Sequence, residues 1–154
     1  MAQEKNIRFV AESTLGRLAK WLRILGFDTV YERQPPAVKN PEPDRIRLTR
    51  TQKVLRQDPP EHVIRITADG YTEQLGQVIR ELGLTLADIA PFTRCIRCNA
   101  SIQPIDNASV FGKVPDYIWE THDTFRCCPQ CGRIYWPGSH PRQSLARIRN
   151  LFEE

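Results

Sequence analysis

The sequence predicts an α/β fold with a small parallel sheet flanked by helices, followed by a C-terminal cysteine-rich ribbon. Three observations support this prediction. Short apolar runs typical of buried strands alternate with longer amphipathic segments over residues 7–82. Two Cys-x-x-Cys pairs stand near the C-terminal end, at 95–98 and 128–131. The 154 residues are 40% hydrophobic and 26% charged, a composition typical of a chain with a folded core.

The first part of the chain contains the alternation of strands and helices. The predicted elements are strands at 7–11, 27–31, 45–49 and 62–67, helices at 14–26 and 72–82, and a short helix through Val54 and Leu55. The first helix is predicted because Leu15, Leu18, Leu22 and Leu25 recur at steps of three and four residues. Four prolines between residues 34 and 43 exclude regular structure there and predict a surface loop.

Three units follow from this order of elements. We predict an α/β domain over residues 1–91, a ribbon over 92–139 and a C-terminal helix over 140–154. The last helix carries an apolar stripe that we expect to dock on the protein itself, formed by Leu145, Ile148, Leu151 and Phe152.

The two Cys-x-x-Cys pairs predict a structural zinc site. Each pair places two thiolates at the tip of a sharp turn, so Cys95, Cys98, Cys128 and Cys131 supply all four ligands of a closed tetrahedral site. Disulfides fit less well, because residues 1–6 lack the apolar stretch of a secretory signal. The long gap between the pairs predicts an insertion between the two turns. Cys127 is expected to be a bystander.

Charge and hydropathy limit the classes of partner. The formal charge is +4 and arginine outnumbers lysine, which suits phosphate recognition and surface salt bridges alike. No apolar run approaches the length needed to cross a membrane, and cysteines without a secretory signal indicate the reducing cytoplasm. The charge therefore permits a nucleic-acid partner without requiring one.

Four stretches resemble the Mut-seven-C RNase family, at residues 9–29, 48–50, 91–99 and 125–140. That family joins a PIN-like nuclease domain to a C-terminal zinc ribbon. The resemblance implies a PIN-like parallel sheet and ribonuclease activity on RNA. It also implies Mg²⁺ or Mn²⁺ held by carboxylates at the C-terminal ends of the strands.

The acidic residues that the family uses are altered in this chain. The first acid, usually aspartate, aligns with Glu12, and the third aligns with Thr51, whose neutral hydroxyl is a weak ligand. The second falls in the proline-rich segment, where Glu42 or Asp44 are the available substitutes. Asp69, near the end of the last strand, is a further candidate ligand or a turn residue.

A non-catalytic RNA- or ribonucleoprotein-binding protein is the alternative. Arginines are frequent where the acids are altered and around the cysteine turns, and they can bind an RNA backbone without cutting it. The candidate RNA contacts are Arg17, Arg47, Arg50, Arg97 and Arg133, with Lys53 and Arg56 in the same basic region. Tyr135 and Trp136 either stack on bases or pack in the core.

Overall fold

A computed structural model describes residues 6–32, 44–51, 62–137 and 142–153. The predicted proline-rich loop with Glu42, the predicted short helix around Val54 and Leu55, and the basic residues Lys53 and Arg56 lie outside the described residues. No helix within the described ranges combines the length and apolar character needed to cross a bilayer.

A four-stranded parallel sheet forms the centre of the α/β part and confirms the predicted fold class. Its order is β2-β1-β3-β4. The strands are β1 (Arg8–Ala11), β2 (Asp28–Tyr31), β3 (Ile46–Thr49) and β4 (Val63–Arg65). Because all four strands run parallel, residues that follow a strand gather at one edge of the sheet and residues that precede a strand gather at the other.

Three helices pack together against one face of this sheet. They are α1 (Gly16–Ile24), α2 (Tyr71–Leu82) and the C-terminal α5 (Arg142–Leu151). The leucines that predicted the first helix are buried with Phe9 and Leu48 in one apolar cluster. Leu145 and Ile148 of α5 belong to the same cluster, which confirms that this helix docks on the protein.

The middle of the opposite face of the sheet is also shielded from solvent. Side chains alternate between faces along a strand, and the register places Val30, Val10, Arg47 and Val63 in one row. Val10 is 2% exposed and Arg47 is 0% exposed. An arginine therefore lies at a buried position of a central strand, where it needs a partner.

The ribbon consists of a small antiparallel sheet with a helical insertion. Its strands are β5 (Gln103–Ile105), β6 (Phe125–Cys127) and β7 (Ile134–Tyr135), in the order β5-β6-β7. Two short helices, α3 (Asn107–Val110) and α4 (Asp116–Thr121), lie between the cysteine turns, as the long spacing predicted.

The chain enters the ribbon along the C-terminal end of α1. Gly26 ends this helix with φ of 97°, a left-handed conformation that favours glycine. A Cβ atom there would overlap the carbonyl oxygen of Ala90. The backbone N–H groups of Ala90 and Phe92 donate to the carbonyls of Leu25 and Ile24, at 2.8 Å and 2.9 Å. Gly26 thus allows the ribbon to start directly against α1.

Candidate metal centre and acidic edge

The four predicted cysteines form a cluster suited to a metal ion. Their Sγ atoms all lie within 4.8 Å of one another, and the Sγ atoms of Cys95 and Cys131 are 3.8 Å apart. A tetrahedral site with metal–sulfur bonds of about 2.3 Å has sulfur–sulfur edges of about 3.8 Å. The Cys95–Cys131 edge matches this value, and the whole cluster is compact enough for the four sulfurs to converge on one four-coordinate ion.

Hydrogen bonds to the sulfurs hold the two cysteine turns in position. The backbone N–H of Cys98 donates to Cys95 Sγ at 3.4 Å, and that of Cys131 donates to Cys128 Sγ at 3.5 Å. The buried Tyr135 hydroxyl donates to Cys95 Sγ at 3.1 Å. Burial opposes ionisation of Cys95, but these donors outweigh it and lower the pKa of its thiol to about 7.

The thiols cannot all ionise without a cation between them. A hydrogen bond with the Cys131 thiol, together with burial and the charge of its neighbours, raises the pKa of Cys98 to about 12. Burial also raises the pKa of Cys128. A divalent cation at the centre would offset this repulsion, because four thiolates are the donor set of a structural metal site.

Three acidic residues lie near the C-terminal ends of the parallel strands, and we call Glu12, Glu32 and Asp69 the acidic edge. Glu12 follows β1 and Glu32 follows β2, each directly, while Asp69 comes shortly after β4. Glu12 is 3% exposed, whereas the side chain of Asp69 is 98% exposed. Thr51 follows β3 at the same edge.

Glu12 uses its carboxylate to join β1 to β3. Its Oε1 accepts hydrogen bonds from the Thr14 hydroxyl at 2.8 Å and from the backbone N–H of Arg50 at 2.7 Å. Its Oε2 accepts from the Thr49 hydroxyl at 2.8 Å. Three donors thus occupy a carboxylate that offers about four lone-pair positions.

Arginines engage the other two acids of the edge. Arg47 Nη1 lies 2.6 Å from Glu32 Oε1, and Arg50 Nη2 lies 3.1 Å from Asp69 Oδ1. The prediction that Arg47 contacts RNA is corrected, because its side chain is 1% exposed and is bound within the protein. Glu32 was not predicted as a site residue, although its place directly after a parallel strand, like that of Glu12, could have identified it.

The family's divalent cation does not fit the acids in the described part of the chain. The four cysteines are the only group of three or more metal-ligating side chains found there. Asp44 precedes β3 and therefore lies at the opposite edge of the sheet from Glu12, which corrects its assignment as a catalytic acid. Its side chain is 84% exposed and its Oδ2 is 3.6 Å from Arg8 Nη2.

Comparison with models of protein families identifies the family of this chain. The family described as the Mut7-C RNAse domain matches residues 7–148. The chain belongs to the Mut7-C RNase domain family. This match covers nearly the whole chain and confirms the predicted family. No curated protein and no solved structure matches the chain.

In this Mut7-C protein, hydrogen bonds connect the first cysteine turn to the N-terminal end of β2. This is the edge of the sheet opposite the acidic edge. Asn99 follows the first cysteine turn with φ of 68°, and its Oδ1 accepts the backbone N–H of Thr29 at 2.9 Å. Its Nδ2 donates to Asp28 Oδ1 at 2.6 Å. Arg23 of α1 donates to the carbonyl of Ile96 at 2.8 Å. The ribbon and the α/β part therefore share a polar junction.

Asp28 is the charged centre of that junction. Arg45 Nη1 lies 2.7 Å from Asp28 Oδ1, the atom that also accepts from Asn99. Burial opposes ionisation, but the hydrogen bonds from Arg45 and Asn99 outweigh it and lower the pKa of the carboxyl below 3.8.

The remaining predicted RNA contacts of the Mut7-C chain lie in two places, on α1 and on the cysteine turns. Arg17, at the start of α1, is exposed and its guanidinium lies 5.3 Å from the centre of the Tyr71 ring. Arg97 and Arg133 are exposed on the cysteine turns, and Arg133 lies 5.6 Å from the Tyr135 ring. Tyr135 is 5% exposed, so it packs in the ribbon rather than presenting a face to bases.

Proposed function

We propose that this Mut7-C protein binds RNA through phosphate-contacting arginines and does not cleave it by metal-dependent hydrolysis. The observation that carries the proposal is the Glu12 carboxylate, which is buried and accepts hydrogen bonds from three donors of the protein. Its role is to hold β1 against β3. Family membership supports RNA as the partner, either alone or within a ribonucleoprotein.

The acidic edge supports binding without cleavage. Magnesium requires near-octahedral oxygen ligands and is held in proteins by carboxylates that are free to face it. Glu12 would have to give up its hydroxyl or backbone donors, and Glu32 and Asp69 would have to leave their arginines. Arg50 then supplies positive charge at this edge in place of a metal ion. A phosphate of RNA can displace Asp69, the exposed partner of Arg50.

The ribbon supplies the second part of the proposal. We propose that Cys95, Cys98, Cys128 and Cys131 bind Zn²⁺, which prefers thiolates in a closed tetrahedral arrangement. Arg97 and Arg133 on the same turns would contact RNA phosphates. The free cysteines of the described residues fit a reducing compartment, and we propose the cytoplasm.

Fluorescence anisotropy with a labelled RNA tests binding, and gel analysis of the same mixture tests cleavage. We expect affinity to fall steeply between about 50 and 200 mM salt, because phosphate contacts release counterions. We expect the RNA to remain intact with Mg²⁺ or Mn²⁺. Arg50→Gln should weaken binding, whereas Arg80→Gln, which removes an exposed arginine of α2, should not. Absence of salt-dependent binding would overturn the proposal.

A metal-dependent ribonuclease is the second candidate function. It is favoured by the position of Glu12, which directly follows the first strand of the sheet, where open α/β folds place their ligands. RNA cleavage that requires Mn²⁺ and is lost in Glu12→Gln would establish this ribonuclease activity and overturn the proposal of binding without cleavage.

A further inference from the structure

A groove lies between the ribbon and α5, apart from both the cysteine cluster and the acidic edge. Its volume is about 750 Å³, within the range of small-ligand pockets. Apolar side chains from three parts of the chain contribute to its lining, namely Pro91, Phe92, Ile102, Pro137 and Leu145. The groove therefore has an apolar floor assembled from the ribbon entry, the ribbon and the C-terminal helix.

An aromatic ring and two cations border this floor. Trp136 is half-buried, because it packs partly against the ribbon cluster around Phe125 while lining the groove. Arg126 of β6 and Arg149 of α5 line the groove from its two sides, and both are exposed. Among the described residues neither guanidinium forms a hydrogen bond or an ion pair. Two cations in the same lining as Trp136 are thus available for an anionic ligand.

The charge of the groove favours a phosphate-bearing occupant. Among the described residues of the lining, Glu153 is the one acid, and together with the two arginines these side chains sum to one positive charge. Arginine forms paired hydrogen bonds with phosphate oxygens, and an indole face stacks on any nucleobase. An acidic peptide would meet the arginines but would make no particular use of the ring.

We propose that this groove binds a nucleotide of single-stranded RNA, with its base against Trp136 and its phosphate between Arg126 and Arg149. The proposal rests on the proposed RNA binding and adds a site and a substrate class to it. A base in a duplex is stacked and paired, so only an unpaired nucleotide can enter the groove. The protein should therefore prefer single-stranded to double-stranded RNA.

A matched pair of substitutions on α5 tests the site. Arg149→Gln and Arg147→Gln remove the same charge from exposed positions of one helix, but only Arg149 lines the groove. With a labelled oligouridine we expect Arg149→Gln to weaken binding by roughly 5-fold or more relative to Arg147→Gln, and to lower the salt slope by about one. Trp136→Leu should weaken binding while leaving the salt slope unchanged. Melting curves of each variant check that the fold is retained.

Crosslinking gives an independent result that does not depend on substitutions. We expect a short oligonucleotide carrying 4-thiouridine to crosslink to the wild-type peptide that contains Trp136. A matching duplex should compete poorly with it. If RNA binds but Arg149→Gln equals Arg147→Gln and the crosslink maps elsewhere, the groove proposal is wrong and RNA binding stands. If no RNA binds, both proposals are wrong; an acidic peptide that binds with the same Arg149 dependence would identify a protein partner instead.

Discussion

The side-chain Oδ1 of Asn99 accepts a hydrogen bond of 2.9 Å from the backbone N–H of Thr29, which joins the first cysteine turn to the first residues of β2. Thr29 is 0% exposed, so its N–H depends on a protein acceptor in the folded state. The half-buried Asn99 side chain thereby connects the cysteine cluster to the parallel sheet, beside the bond from Arg23 to the Ile96 carbonyl. Metal binding and sheet stability should consequently be coupled.

Replacing Asn99 should weaken the whole protein and not the ribbon alone. Asn99→Ala leaves the Thr29 N–H buried without a partner and places alanine at positive φ, so we expect a loss of about 1–3 kcal/mol in the free energy of unfolding. Urea denaturation measures it. Asn99→Gly serves as the control, since it removes the hydrogen bonds but tolerates the backbone conformation; equal stability of Asn99→Gly and wild type would contradict the role of the side chain.

Metal removal should be detected at the sheet. Chelation removes the ion that links the four sulfurs and frees the first cysteine turn, so we expect faster amide hydrogen exchange at Thr29 in the chelated protein. Exchange measured by NMR before and after a chelator gives the answer. Exchange at Val78, in the buried part of α2, serves as a distant reference. Unchanged protection of Thr29 after complete metal loss would show that the two parts are independent.

Acid should destabilise the protein through Asp28. Its folded-state pKa is lowered below 3.8, so the stability it contributes is present above the unfolded pKa of about 3.9 and is lost as pH falls through the folded value. Asp28→Asn should be less stable than wild type at neutral pH, with a smaller further loss below about pH 4. Parallel dependence on pH in both proteins would rule out this assignment.

Loss of the ion pair between Arg47 and Glu32 should lower stability and leave RNA affinity unchanged. Its guanidinium is buried against Glu32, and loss of one partner of a buried ion pair costs about 3–5 kcal/mol. Glu32→Gln keeps the shape and removes the charge, so we expect a lower melting temperature with unaltered RNA binding at temperatures where the variant is folded. Arg50→Gln, in contrast, should weaken RNA binding. Reduced affinity in folded Glu32→Gln would connect this pair to the RNA surface.

The regular elements and the cysteine cluster could be predicted because their signals are local. Spacings of three and four residues gave α1 and α2, and the cysteine spacing gave the metal cluster. The burial of Arg47 could not be predicted from the frequency of arginines where the acids are altered, because a central parallel strand is covered on both faces. The partner that makes its burial tolerable, Glu32, is distant in sequence.

The placement of the acids also depended on tertiary structure. Asp44 lies near β3 in sequence, but it precedes that strand and so lies at the opposite edge of the sheet from Glu12. Asn99 gave no signal, because its contacts with Asp28 and Thr29 arise only when the ribbon docks on the sheet.

Because protein donors hold the acidic edge, we expect that it does not bind a divalent metal ion. Electron paramagnetic resonance can follow a Mn²⁺ titration of the zinc-loaded protein, with Glu12→Gln as the matched variant. We predict that wild type and Glu12→Gln leave the same amount of Mn²⁺ free at every protein concentration. One equivalent of Mn²⁺ bound by wild type and lost in Glu12→Gln would contradict the claim.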